Sequence, residues 1–201
     1  MANSNSPFGA RHLGMATGAS PATFSLITRK IASNNSHAIG TNDLVVNLDT
    51  GYVDYWTPSS SVVSNFAGIF NGCKFFSTAL QRVIWSPYWP GSGATGDVTA
   101  FIVPVDQASP SSFVIQATST PFTFADIGAV CDIDRGTVNT TTGISGATLD
   151  RGTIGTAATL PFKIMNVWSA IGAPGSLGTD DTANYNWVLV SANSEKSTGL
   201  N

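Results

Sequence analysis

The chain has 201 residues, enough for one domain with an arm and for a real buried core. Hydrophobic residues make up 42%, which speaks against wholesale disorder, while charged residues make up only 10%, against roughly 25% in an average soluble domain. The net charge is −3, the nine Lys and Arg are scattered, and no run approaches the ~18 apolar residues of a membrane span, so neither nucleic acid nor membrane is an expected partner.

Residues 1 to about 22 read as an arm, rich in Asn, Ser, Gly and Ala, with Pro7, Phe8 and Pro21 as punctuation. Phe8 and Met15 are apolar enough to dock on a neighbour. This stretch has no apolar run of signal-peptide type, so synthesis in the cytoplasm is expected. From residue 23 to 201 the chain reads as one β domain. Strands are expected at Thr23–Ile31, Asp43–Asp49, Tyr52–Trp56, Ser61–Asn71, Lys74–Ser77 and Arg82–Ser86. Further strands are expected at Asp97–Val105, Ser112–Gln116, Ala129–Ile133, Phe162–Ala170 and Tyr185–Ser191. Thr50-Gly51 marks a hairpin, and Gly68 a bulge. Turn clusters at Ser86–Gly96, Gly136–Gly146 and Gly172–Asn186 divide these runs. One helical turn is expected at Phe122–Ile127, capped by Thr123. The string Asp-Arg-Gly-Thr occurs at Asp134 and again at Asp150, either as paired hairpin ends or by coincidence. About ten short strands with turn signals between them predict an antiparallel β-sandwich, jelly roll or barrel.

Catalytic signatures are sparse. A serine or cysteine nucleophile needs a base, usually His, oriented by a carboxylate. The only histidines are His12, in the arm, and His37, in a Ser-Asn-rich turn, and neither sits in a nucleophile motif. Cys73 and Cys131 are far apart in sequence and read as buried thiols rather than zinc ligands. Asp132 and Asp134 have loop-like spacing, but the Gly and Glu of a calcium loop are missing. Eleven Asp accompany a single Glu, Glu195, which leaves few carboxylate pairs for glycoside chemistry. No enzyme, cofactor or metal is expected. A surface with few charges has little repulsion to keep molecules apart, which suits a protein packed against neighbours. The aromatics Trp56, Trp85, Tyr88, Trp89, Trp168 and Trp187 lie in or beside strands and read first as core or subunit-interface residues; Trp85 and Trp89, flanking Pro87-Tyr88, are the best candidates for exposure.

Three stretches carry a resemblance. They are Asn5-Ser6-Pro7-Phe8-Gly9, Phe70-Asn71-Gly72-Cys73, and Ile84 to Pro90 (IWSPYWP), followed by Ala125-Asp126-Ile127-Gly128 and an acidic stretch. Together, over residues 1 to 135, they resemble small virion structural proteins of tailed bacteriophages and prophages. The arm departs from that pattern at Arg11-His12-Leu13, where Arg-Pro usually follows the Pro-Phe-Gly. The resemblance implies a β-sandwich or jelly-roll cement (decoration) protein on the outer capsid surface. It would bridge neighbouring capsomers of the major capsid protein and form homodimers or homotrimers. The partner-binding candidates are then Pro7, Phe8 and Arg11 in the arm and Trp85, Tyr88 and Trp89 in the turn. The rival expectation is a tail or fibre component that binds a host glycan through exposed Trp.

Overall fold

A computed structural model of the chain describes residues 3–15, 26–57, 66–104, 111–155, 160–168, 180 and 182–193. Its strands are β1 (Arg11–Met15), β2 (Ile27–Ile31), β3 (Leu44–Asn47), β4 (Val53–Tyr55), β5 (Phe66–Ser77) and β6 (Arg82–Ser86). They continue with β7 (Ala94–Pro104), β8 (Ser111–Gln116), β9 (Val130–Asp134), β10 (Thr148–Gly155), β11 (Phe162–Val167) and β12 (Trp187–Ala192). One sheet has the order β1-β8-β12-β11-β9-β10 and the other β2-β7-β5-β3-β4, with β6 paired to β5 beside β3. All strand pairings are antiparallel. The chain is thus mainly β, two antiparallel sheets packed as a sandwich.

Strand periodicity explains where the cores lie. Alternate residues of β8, β11 and β12 (Phe113, Ile115, Phe162, Ile164, Val188 and Val190) point into the space between the sheets. Leu44, Val46 and Ile69 meet them from the second sheet. The intervening Val45 and Phe70 point the other way, into a second core with Cys73, Val98, Ala100 and Ile102. The second sheet curls around that core until β2 lies against β4. Burial on both faces is why its central strands read as nearly unbroken apolar runs. Cys73 and Cys131 are free, buried, and sit in different cores.

The hairpin at Thr50-Gly51 joins β3 to β4, with Gly51 at φ 83°. Gly68 lies at a register shift between β3 and β5, and a Cβ there would fall 2.1 Å from the Val103 carbonyl oxygen. The helical turn at Phe122–Ile127 is a single 3-10 turn, Phe124–Asp126, and both the N–H and the hydroxyl of Thr123 donate to Asp126.

Other elements differ from expectation. Gly72 reads as a break, yet β5 runs through it as one strand, absorbing it in register shifts against β7. β10 was unexpected; its Asp-Arg-Gly-Thr string reads as a turn. In fact both copies of that string form the same local device: the Gly136 N–H donates to Asp134 and the Gly152 N–H to Asp150. The first copy starts at the last residue of β9 and continues into the loop, whereas the second lies within the paired β10, with Thr148 opposite Asp134 and Asp150 opposite Asp132. The ends of the expected strands at residues 23–25, 61–65, 105 and 169–170 fall outside the described residues.

The expected arm also differs. Over residues 3–15 it lies extended along the first sheet and ends in β1, an edge strand paired with β8. Residues 16–22 fall outside the described residues.

Candidate functional site

The residues that carry the resemblance form two structural units. The first is the start of the chain. The buried Gln116 amide holds it to the outer face of the first sheet: Gln116 donates to the Ser4 carbonyl at 2.8 Å and accepts from the Ser6 N–H at 3.0 Å. Pro7 stiffens the next step, and Phe8 lays its ring edge-on to Trp187, centroids 5.1 Å apart. Gly9 has φ 72°, and a Cβ there would sit 2.4 Å from the Asn42 carbonyl oxygen, so only glycine fits. That tight passage delivers Ala10 into the core between the sheets. Phe8 and Pro7, expected to reach a neighbour, are therefore half-buried against their own domain. The apolar Phe8 ring finds an apolar partner within the chain, which is cheaper than staying in water. Arg11 differs: it points outward from β1 and is exposed, beside exposed Leu13. Across the same outer face, β11 presents exposed Lys163 and Met165.

The second unit joins Phe70-Asn71-Gly72-Cys73 to the Ile84–Pro90 stretch. β5 and β6 pair with Cys73 opposite Ser86, Lys74 opposite Trp85 and Phe76 opposite Val83. Gly72 leaves room for the Trp85 indole, which would lie 3.0 Å from any Cβ there. The Cys73 thiol donates to the Tyr88 carbonyl at 3.5 Å, and the Ser86 hydroxyl donates to the same oxygen. The turn then folds inward. Trp89 exchanges backbone hydrogen bonds with Ile39 at 2.8 and 2.9 Å, and its ring stands edge-on to Phe75 with centroids 5.3 Å apart.

Of the two tryptophans that are the best candidates for exposure, Trp85 is exposed, at 61%, and Trp89 is not, at 0%. The correction has a local cause. The chain bends at Pro87 and Tyr88 and bridges to Ile39 at Trp89, so the strand alternation of β6 is broken and a ring four residues beyond Trp85 falls on the core side. Tyr88 is half-buried between them. Around Trp85 the hairpin exposes Phe76, Leu80 and Val83, an apolar patch that the expected set of residues lacked. Period-two alternation in Arg-Val-Ile-Trp-Ser was the signal for Val83, which shares the Trp85 face.

The histidines stay apart. His12 packs its ring on Phe113, 5.6 Å between centroids, with Nε2 buried and unpartnered, and burial lowers its pKa. His37 Nδ1 lies 2.8 Å from Asp54 and its ring stands edge-on to Tyr55, while the Arg135 guanidinium caps the Tyr55 ring at 3.3 Å. Among the described residues no group of three His, Cys, Asp or Glu could hold a metal ion. Burial pushes the Cys73 thiol up to about 12 and raises Cys131 further, so both stay protonated. Asp132 is raised by burial while Trp56 Nε1 donates to it at 3.1 Å. An open polar groove of about 440 Å³ runs between Asn5, Thr118, Asp134, Thr137, Thr148 and Tyr185. No described helix is long and apolar enough to cross a membrane.

Comparison with protein-family models, with curated proteins and with solved structures finds no match to this chain.

Proposed function

We propose that this chain is a structural component of a tailed-phage virion. In this reading it is a cement protein that binds the outer surface of the major capsid protein shell and bridges neighbouring capsomers. One observation carries the reading. Exposed apolar side chains lie on both sheets of a chain with few charges: Leu13 on β1 and Met165 on β11 of the first sheet, and Trp85 with Phe76, Leu80 and Val83 on the β5–β6 hairpin of the second. A chain with apolar side chains exposed on both sheets can hold two partners at once. The motif resemblance narrows those partners to a shell and to other copies of the chain. We assign the outer face of the first sheet, with Arg11, Leu13, Lys163 and Met165, to the shell. A standard interface buries about 1,600 Å² in total, and many symmetry-related copies add avidity without tighter single sites. The role is mechanical rather than catalytic, and it places the chain on the virion surface after synthesis in the host cytoplasm.

The test uses shells assembled from the major capsid protein without this chain. The full-length chain should co-sediment with them at a fixed copy number and raise their melting temperature. Leu13→Asp combined with Met165→Asp should weaken co-sedimentation at least tenfold while leaving the circular dichroism unchanged. Shells that take up none of the wild-type chain would sink the reading.

A second reading, a tail component that binds a host glycan, is favoured by the polar groove, where Asp134 and Tyr185 offer hydrogen bonds beside an aromatic ring. Binding of the isolated chain to host glycans, lost in Asp134→Ala, with no uptake by shells, would select it.

A further inference from the structure

β6 is hydrogen-bonded to β5 on one edge and has no partner strand on the other among the described residues. A bare edge is a template for another strand. Beside it stand Val83 at 54% exposure, Trp85 at 61%, Phe76 at 38% and Leu80 at 55%. With aromatic side chains of about 150–250 Å² and smaller aliphatic ones, these expose on the order of 400 Å², the size of the largest apolar patch on a typical monomer, which is often functional. We propose that this edge is covered by a second copy of the chain, the two β6 strands pairing antiparallel about a two-fold axis at Ile84.

The sequence of β6 favours a copy of itself over another occupant. A two-fold interface requires a self-complementary patch. Val83 and Trp85 are equidistant from Ile84 and lie on one face. The axis sets each Val83 opposite the second copy's Trp85, an aromatic–β-branched cross-strand pair, and does so twice. Arg82 falls opposite the second copy's Ser86, so the two cations do not face each other. Extended through β5, each row reads Lys74, Trp85, the second copy's Val83, the second copy's Phe76, using the register observed within one chain. Three apolar side chains are thereby contiguous across four strands, and Lys74 sits at the rim beside Trp85. Charge at the rim and aromatics at the centre is the usual anatomy of an interface. The apolar patch covers about half of the roughly 800 Å² per partner of a standard interface, and the backbone edge with the flanking Arg82, Ser86 and Lys74 supplies further contact around it.

This inference rests on the hairpin and not on the shell. Sedimentation equilibrium of the full-length chain, without shells, should give twice the 20.9 kDa chain mass at micromolar concentration. Trp85→Lys should raise the dissociation constant at least tenfold with unchanged circular dichroism, and Leu13→Lys, on the other sheet, should leave it unchanged. The register has its own readout. Val83→Cys mixed with Trp85→Cys should form an intermolecular disulfide under mild oxidation, and each variant alone should not; the native cysteines are buried and do not compete. A wild-type chain that remains monomeric to 100-fold higher concentration overturns the proposal, even where it still binds shells. So does a dimer that Trp85→Lys leaves intact, or one in which the mixed cysteines fail to link. A wild-type chain that is itself monomeric, and that loses shell uptake on Trp85→Lys, would instead give the patch to the shell and overturn the dimer.

Discussion

Asp43 shows what a single side chain does at the junction between the start of the chain and the core. It is buried, accepts the Gly40 N–H at 2.7 Å, and accepts the Ser145 hydroxyl. Burial raises its pKa above the ordinary 3.8, and the two hydrogen bonds with the nearby Arg135 charge only partly oppose this. A raised carboxyl favours the folded state in its protonated form. Its contribution is complete below the ordinary range and is lost as pH rises through the raised value. Asp43→Asn removes that loss and can keep both bonds, with Oδ1 accepting from Gly40 and Nδ2 donating to Ser145. The denaturation midpoint of Asp43→Asn should therefore gain on the wild type as pH rises from 4 to 8. Asp43→Ala should cost about 1–3 kcal/mol, because two buried donors lose their acceptor. Equal pH slopes for wild type and Asp43→Asn would refute the assignment. None of this was legible in the sequence, where Asp43 opens a strand and its partner Ser145 lies in a turn cluster. Gly9 was legible only as punctuation: the sequence shows a glycine, but the Asn42 carbonyl that excludes a Cβ comes from residues far along the chain.

At the scale of elements, hairpins and bulges were legible wherever the signal is local. The Thr50-Gly51 turn and the Gly68 bulge follow from backbone sterics at those residues. β1 was not legible, because Arg-His-Leu-Gly-Met has weak strand propensity and is held only by pairing with β8. The turn after β6 hid Trp89 for the same reason: the Ile39 backbone that receives it is fifty residues upstream. Of the partner-binding candidates, Trp85 and Arg11 are exposed, whereas Phe8 and Trp89 spend their rings on their own chain. The segment before β1 depends on Gln116, which also donates to the Tyr185 carbonyl at 3.2 Å. Gln116→Leu removes its bonds to Ser4, Ser6 and Tyr185, each worth about 0.5–1.5 kcal/mol. Amide exchange at Ser6 should then rise toward the rate of an unprotected amide. Amides in the middle of β12, such as Val190, should keep their protection, because their ladder bonds to β8 remain. Unchanged protection at Ser6 would show that the other ties secure the segment without Gln116: Asn3 Nδ2 on the Asp180 carbonyl at 2.9 Å, Asn42 Nδ2 on the Phe8 carbonyl at 2.9 Å, and Phe8 on Trp187.

At the scale of the whole molecule, two cores share one sheet. Ile69 and Phe70 are neighbours in β5, yet one belongs to the core between the sheets and the other to the core inside the curled second sheet. β3 does the same with Val46 and Val45. Neither core can lose its packing without moving strands that line the other, so the chain should unfold as one unit. Phe162→Ala empties a site in the first core and Phe113→Ala its neighbour, 6.2 Å away between ring centroids. Phe70→Ala empties a site in the second core. Each should cost about 3–5 kcal/mol. The Phe162 and Phe113 losses should not add, because the rings share a cavity, whereas Phe162 and Phe70 lie in separate cores and should add more closely. Amide exchange gives the decisive readout. Under mild denaturant, Val188 in β12 and Val98 in β7 should open with the same free energy in wild type, and both should fall together in Phe70→Ala. If Val98 loses protection in that variant while Val188 keeps it, the curled sheet is a separate folding unit. The strands that line both cores would then be a hinge between two bodies rather than a shared wall.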